Sequence, residues 1–448
     1  ELWALDIEAR IAARSNHEDT ALERYKAMHQ AALRAADPGG RWRALAGQAT
    51  TLDSMGQREL AHQHFARAEA LMGEDSLLIP LHGGRDALLS KRGYVTQRYV
   101  ASLLESHEPE RALQVIRQTR SRYLREMRMA DMMSHLDAKT ELDWQAAMSL
   151  YKGKRSELEN LVADAWSVPK NELKDYEARK TRLETESREA LDVALAIANL
   201  TPTKDSRASE KALRSPANGQ LYLLFYELDD GWVGFAQSST TLVWKTLGTI
   251  HFDTSSPEVL GNTLLQPFLS EIRNASEIVL MPWGQSRRID IHALPVAGKP
   301  LIAHSPTVYS LDLPQRAPIA NRSNILVVSD PRGDLPRARE EGAKITTILS
   351  HEASSAVNHI TGSSATKESL TSQFANTEFF HYAGHGSFEG SRGWSSALPL
   401  ANDSELNLSD ILALPNSPRY VVLTGCETAR SDTNVELESI GLAQAFVL

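Results

Sequence analysis

With one cysteine in 448 residues, the chain can form no intrachain disulfide, and a reducing, cytoplasmic setting is the expectation. No apolar run approaches the roughly 18 residues that cross a bilayer, and no signal-peptide pattern opens the sequence, so a membrane role is not expected. Neither CxxC nor HExxH is present, the spacings by which zinc sites are most often recognised. There is no excess of positive charge. Lys and Arg number 48 against 57 Asp and Glu, for a formal net charge of -9. That balance argues against general affinity for nucleic acid or anionic lipid, although a local basic patch stays open.

What is present is a hydrophobic content of 42%, ordinary for a chain with real cores, and enough length for about three domains. Residues 1–135 are helical and repetitive. Leu45, Ala49, Leu52, Gly56, Ala61, Phe65 and Ala68 follow the helix–turn–helix tetratricopeptide pattern, whose period is about 34 residues. Ala49 and Ala61 let two helices approach, and Gly56 makes the turn. Leu5, Ala9, Ala12, Ala21 and Tyr25 repeat the spacing loosely upstream. Val100, Leu103, Ala112 and Ile116 do so downstream, with residues 112–123 on one long helix. A solenoid of this kind offers a concave surface to a peptide or protein; a plain helical bundle is the alternative. Residues 136–218 form a charged connector of helices interrupted at Pro169, ending in the polar linker 201–218.

At Gly219 the pattern changes from helical to short apolar runs separated by turn residues. Residues 221–226 and 232–236 flank Asp229-Asp230-Gly231, a strong hairpin signal. Residues 242–247 offer a third strand, a helix follows over 257–272, and 277–282 reads as another strand. Beyond them come a strand at 325–329, a helix at 337–349 and a capped helix starting at Thr366. Two further apolar runs end at Ala383 and Thr424. Strands alternating with helices predict an α/β domain with a mostly parallel sheet.

Those last two runs carry the chemistry. Phe379-Phe380-His381-Tyr382-Ala383-Gly384-His385-Gly386 and Tyr420-Val421-Val422-Leu423-Thr424-Gly425-Cys426-Glu427 each stop at a glycine and then present a reactive side chain. If the runs are neighbouring parallel strands, His385 and Cys426 leave the same sheet edge, where α/β folds place their chemistry. A thiol with a pKa near 8.5 is a weak nucleophile at neutral pH unless a partner such as imidazole helps to ionise it. Taken singly, either residue is more often structural; the joint pattern is what suggests a cysteine–histidine dyad. His381 and His385 are four apart, but on a strand that separates them by about 13 Å, so His381 is expected to pack in the sheet and not to share a metal.

From residue 219 onward the sequence resembles the CHAT domain, a caspase-like cysteine peptidase fold related to separase and often fused to tetratricopeptide repeats. The resemblance rests on an ordered set of motifs. Residues 278–284 resemble the family's "ivPdG" strand and turn, with Trp283 where Asp is usual. Residues 291–295, 299–302, Asp330-Pro331, Ala365-Thr366, the His385 segment, 396–398, 408–411, 425–428, Glu438 and 441–446 follow in family order. Residues 112–124 also look like the helix common upstream of such domains. The implied organisation is α-helical repeats over 1–135, the connector over 136–218, an N-terminal pseudo-caspase-like part over 219–320 and a caspase-like catalytic part over 321–448. Because the family continues past Phe446, the chain is expected to be part of a longer polypeptide.

By this resemblance Cys426 is the nucleophile and His385 the general base of an endopeptidase, with the N–H groups of Gly386 and Cys426 as oxyanion donors. Caspase relatives choose the residue before the cut with charged groups on loops beside the sheet. Asp330 and Asp432 are the candidates here, favouring a basic residue. The partners implied are a protein substrate and a regulatory protein or complex on the repeats, with cleavage often serving bacterial defence or a death-like response. No cofactor is implied, and the oligomeric state is left open. The competing classes are a non-catalytic repeat adaptor and a Cys–His acyltransferase.

Overall fold

The computed structural model describes residues 2–34, 37–77, 85–126, 138–163, 169, 172–199, 214–312, 323–352, 355–387, 396–412, 414, 417–425 and 441–447. Helices α1 (Leu2–Arg14), α2 (Glu18–Arg34), α3 (Pro38–Ser54), α4 (Arg58–Leu77), α5 (Arg85–Glu105) and α6 (Pro109–Glu126) each pack on the next. This is consistent with tetratricopeptide-like repeats. Ala49 and Ala61 are fully buried where α3 meets α4, and Gly56 makes the turn between them at φ +75°, a conformation that costs glycine little. Phe65 stacks on Tyr99 with ring centroids 5.2 Å apart, joining α4 to α5. A buried polar node fixes the same three helices. The Asp53 carboxylate accepts from Arg58 and Ser102, each at 2.6 Å, and from Arg98 at 2.9 Å. The connector is a long helical pair, α7 (Ala138–Ala163) packed on α8 (Leu173–Asn199). Among the described residues, no helix is long and apolar enough to cross a membrane.

Strands β1 (Gln220–Leu228), β2 (Gly231–Gln237), β3 (Leu242–Gly248) and β4 (Glu277–Met281) open the α/β part. The β1–β2 hairpin closes at Gly231, at φ +139°, where a Cβ would lie 2.8 Å from the Gly248 backbone. The helix expected over 257–272 is broken into α9 (Pro257–Leu264) and α10 (Leu269–Asn274) with a short 3₁₀ turn between them. Pro267 sits in that turn, and a proline lacks the N–H that would continue the helix. A two-strand ribbon, β5 (Pro295–Val296) with β6 (Lys299–Pro300), and the strand β7 (Thr307–Tyr309) follow. The first sheet has the order β3-β2-β1-β4-β7. One face packs on α9 and α10 through Leu223, Phe225, Leu264 and Phe268. The other, with Leu224, Tyr226 and Phe235, joins the apolar cluster of α3 to α6.

The second sheet follows: β8 (Asn324–Ser329), α11 (Pro336–Glu352), β9 (Val357–Thr361), α12 (Lys367–Phe374) and β10 (Thr377–Ala383). After these come the hairpin β11 (Ala397–Pro399) with β12 (Glu405–Asn407), then α13 (Leu408–Leu412), β13 (Tyr420–Thr424) and α14 (Leu442–Val447). Its order is β13-β10-β8-β9 with every neighbour parallel, so the mostly parallel sheet is as predicted. Thr366 caps α12 as its sequence suggests, its hydroxyl accepting from the N–H of Ser369. The two faces of β10 are covered by different helices, because alternate strand residues point opposite ways. Phe380 meets Phe374 of α12 and Phe446 of α14. His381 meets Glu341 of α11. Helix α11 lies close on the sheet through Gly342, where any Cβ would collide with Ser329.

A buried ion pair ties the helical region to the α/β part. Arg117 of α6 gives a two-bond fork to Asp312, Nε to Oδ2 and Nη2 to Oδ1, both at 2.7 Å. The guanidinium also donates to the carbonyl of Arg214 and the side-chain oxygen of Gln237, and lies 5.5 Å from the centre of the Tyr222 ring. The Arg117 and Asp312 side chains are only 6% and 3% exposed.

Candidate active site

In the second sheet β9 lies on one side of β8 and β10 on the other, so the strand order reverses between β8 and β10. Open parallel sheets form a crevice at the carboxyl ends of strands flanking such a reversal. The loop after β8 and the loop after β10 meet there. The third member is the end of β13, paired in parallel with β10 so that Ala383 faces Thr424. His385 stands two residues beyond Ala383, and the sequence places Cys426 two residues beyond Thr424. Gly425 is the last described residue of that segment. Cys426 and Asp432 lie outside the described residues.

His385 is braced from both of its ends. Its carbonyl accepts from the Tyr382 hydroxyl at 2.7 Å, and the same hydroxyl lies 2.8 Å from the Pro399 carbonyl. Tyr382 is fully buried, and burial pushes its phenol far above the ordinary range, so it stays a neutral donor. Gly384 permits this arrangement, since a Cβ there would lie 2.7 Å from the tyrosine oxygen and 3.0 Å from Pro331. At the ring, Nε2 lies 3.0 and 3.1 Å from the two carboxylate oxygens of Asp334. The His385 and Asp334 side chains are 42% and 56% exposed. The backbone of Gly386, the proposed second oxyanion donor, follows directly and is half-buried.

Asp330 has a different place from the one a substrate-pocket residue would take. It is fully buried in the left-handed region at φ +47°. Its Oδ1 accepts from the Leu335 N–H at 2.8 Å and its Oδ2 from Arg339 at 2.5 Å. Its own N–H donates to the Ala383 carbonyl, and its carbonyl accepts from Gly362. The carboxylate therefore shapes the loop after β8 from inside and is not brought to the surface beside His385. Asp334, four residues further on, is. Nothing in its local sequence distinguishes it; the usable signal is the β–α–β–α–β order, which brings the loops after the first and third strands together.

His381 is buried in the sheet, as its strand position predicts. Its Nε2 lies 3.1 Å from Glu341 Oε1 but off the line of a hydrogen bond. The same Glu341 accepts from the Thr424 hydroxyl at 2.8 Å, and that hydroxyl oxygen also lies 3.0 Å from the Tyr382 carbonyl. On the neighbouring strands, His359 Nε2 lies 2.8 Å from Ser329 Oγ. Burial holds both imidazoles below the ordinary value of 6.5, in His381 against the opposing pull of Glu341. The fold thus favours their neutral forms. Their contribution to stability is complete above about pH 6.5 and is lost as pH falls from there towards the depressed folded values. The urea midpoint is expected to fall between about pH 7.5 and 5.5, and to fall less in a His359→Gln variant; equal falls in both proteins would refute the assignment. Among the described residues, no group of three acidic, His or Cys side chains is arranged to hold a metal ion.

The architecture is thus an α/β fold of the doubly wound kind, with a histidine-bearing loop at its switch point. Comparison with protein families makes this specific: residues 255–448 match the CHAT domain. The chain carries a CHAT domain, of the caspase-like clan, behind a helical region consistent with tetratricopeptide-like repeats. A search of curated proteins returns no match to the chain.

Proposed function

We propose that the chain is a cysteine endopeptidase in which Cys426 is the nucleophile and His385 the general base, acting on a protein substrate. The observation that carries this reading is the β10–β13 register. Ala383 faces Thr424, and His385 and Cys426 each follow their strand end by the same two residues and one glycine. In the reaction the Cys426 thiol gives its proton to His385, and the sulfur attacks the scissile carbonyl. The N–H groups of Gly386 and Cys426 hold the developing oxyanion. The proton then passes to the leaving amine, leaving a thioester. Water, deprotonated by His385, hydrolyses that thioester and restores the thiol.

Substrate selection falls to loops around the crevice, with Asp432 the loop carboxylate proposed to favour a basic residue before the cut. A partner protein at the helical repeats regulates the site, and the buried Arg117–Asp312 contact supports such coupling by tying α6 to the strand region. The test is to map new protein termini in a proteome incubated with wild-type protein or with Cys426→Ala. A defined set of cuts present only with wild type supports the peptidase. Acyl transfer to amines at the same sites points to a transferase, and no difference between the two proteins points to the adaptor.

A further inference from the structure

We propose that Asp334 is the positioning residue for His385, so that the site works as a Cys–His pair oriented by a third, carboxylate member; this rests on the peptidase reading above. The contact joins two separately braced loops. On the β8 side, Asp330 anchors the loop through its N–H to Ala383 and through its carboxylate to Leu335 and Arg339. Gly333, at φ +79°, turns the chain directly before Asp334. On the β10 side, Tyr382 holds the His385 carbonyl. Both carboxylate oxygens then face Nε2, at 3.0 and 3.1 Å.

The chemical consequence follows from which nitrogen is engaged. A carboxylate only accepts, so the Nε2 that faces it carries the proton, and Nδ1 is left with the free lone pair. Nδ1 is therefore the atom that takes the thiol proton and later returns it to the leaving amine. Asp334 keeps its charge throughout and accompanies the imidazolium that forms between those two transfers. The role is one of orientation and not of fold. A pair this exposed adds little to stability, so variants at Asp334 are expected to remain folded.

The experiment uses the full chain in Asp334→Ala and Asp334→Glu forms, with two readouts. Kinetically, kcat on a cleaved peptide is expected to fall roughly 10- to 100-fold in Asp334→Ala, less than for a buried orienting carboxylate, with KM within about twofold and partial recovery in Asp334→Glu. A rise in KM confined to substrates with a basic residue before the cut, at unchanged kcat, would make Asp334 a specificity residue and overturn the proposal. Spectroscopically, the imidazole nitrogens are observed in histidine-labelled Cys426→Ala protein, with His385→Gln identifying the signal. This readout is independent of turnover. His385 is expected to be the Nε2–H tautomer, and to become a mixture when Asp334 is also replaced by Ala. An unchanged tautomer would refute the positioning role whatever the activity. A tautomer that changes as expected, together with wild-type protein that cleaves nothing, would refute the peptidase reading instead.

Discussion

Replacement of Cys426 by alanine is expected to abolish peptide cleavage, with a loss of about 10,000-fold or more. The reason is chemical. A general base without a nucleophile can only activate water, and the residual rate is what oxyanion donors and binding supply by themselves. The chain has one cysteine, so no second thiol can take over. Replacing His385 by alanine leaves the thiol in place and removes its base, for an expected loss of about 100- to 10,000-fold. Residues that act as a unit are not additive, so the double replacement should cost little more than the single cysteine replacement. The half-exposed His385 ring packs into no core, and its replacement should leave the thermal midpoint within a few degrees. Cleavage assays on the three variants at equal folded concentration, with a thermal melt of each, check these expectations.

The largest effect on stability is expected at Asp312, far from the crevice. Asp312→Ala removes both acceptors from the Arg117 fork and leaves a buried guanidinium with two neutral acceptors, the Arg214 carbonyl and the Gln237 amide. Breaking one member of a buried pair costs about 3–5 kcal/mol, because the remaining charge stays desolvated. Removing both charges, Arg117→Met with Asp312→Asn, is expected to recover much of that loss, since no charge is then left buried and Asn tolerates the left-handed backbone at 312 (φ +59°). Urea unfolding of the two single variants and the double variant measures this. The same contact is where α6, the segment before the first strand (at Arg214) and the segment leaving β7 meet, so its loss is also expected to loosen the helices from the first sheet. Limited proteolysis of the folded single variant should then cut between them faster than in wild type.

Much of this fold can be read from local pattern. The β1–β2 hairpin is announced by Asp229-Asp230-Gly231, α12 by its Thr366 cap, and β8 and β10 by apolar runs, because each signal is a near-neighbour effect. Strand β9 is not legible in the same way. Only Ile360 of its five residues is buried, as expected of an edge strand, so the apolar alternation that marks a strand is missing. The break inside 257–272 follows from Pro267 alone, which has no N–H to continue the helix. The β11–β12 hairpin turns through Asn402 and Asp403, both in the left-handed region, which their short polar side chains tolerate.

The site divides along the same line. Glycine-flanked His385 and its relation to β13 follow from sequence, since strand ends and register are local quantities once two parallel neighbours are assumed. The parts played by Asp330 and Asp334 do not. Both are aspartates in one short loop, and only tertiary structure turns one inward to Leu335 and Arg339 and the other towards His385. Tyr382 is similar: its motif marks it as a strand residue, while its hydroxyl contact with His385 depends on Gly384 leaving room for the ring.

The most direct measurement of the central claim is the pH profile of Cys426 alkylation by iodoacetamide, in wild type and in His385→Gln. As the chain has one cysteine, every equivalent incorporated reports on that thiol. An ordinary thiol is only about 0.3% thiolate at pH 6 and reacts with an apparent pKa near 8.5. A thiol paired with an imidazole is expected to react well below that pH, and to return to the ordinary profile when His385 is replaced. Superimposable profiles in the two proteins, both rising only near pH 8.5, would contradict the dyad.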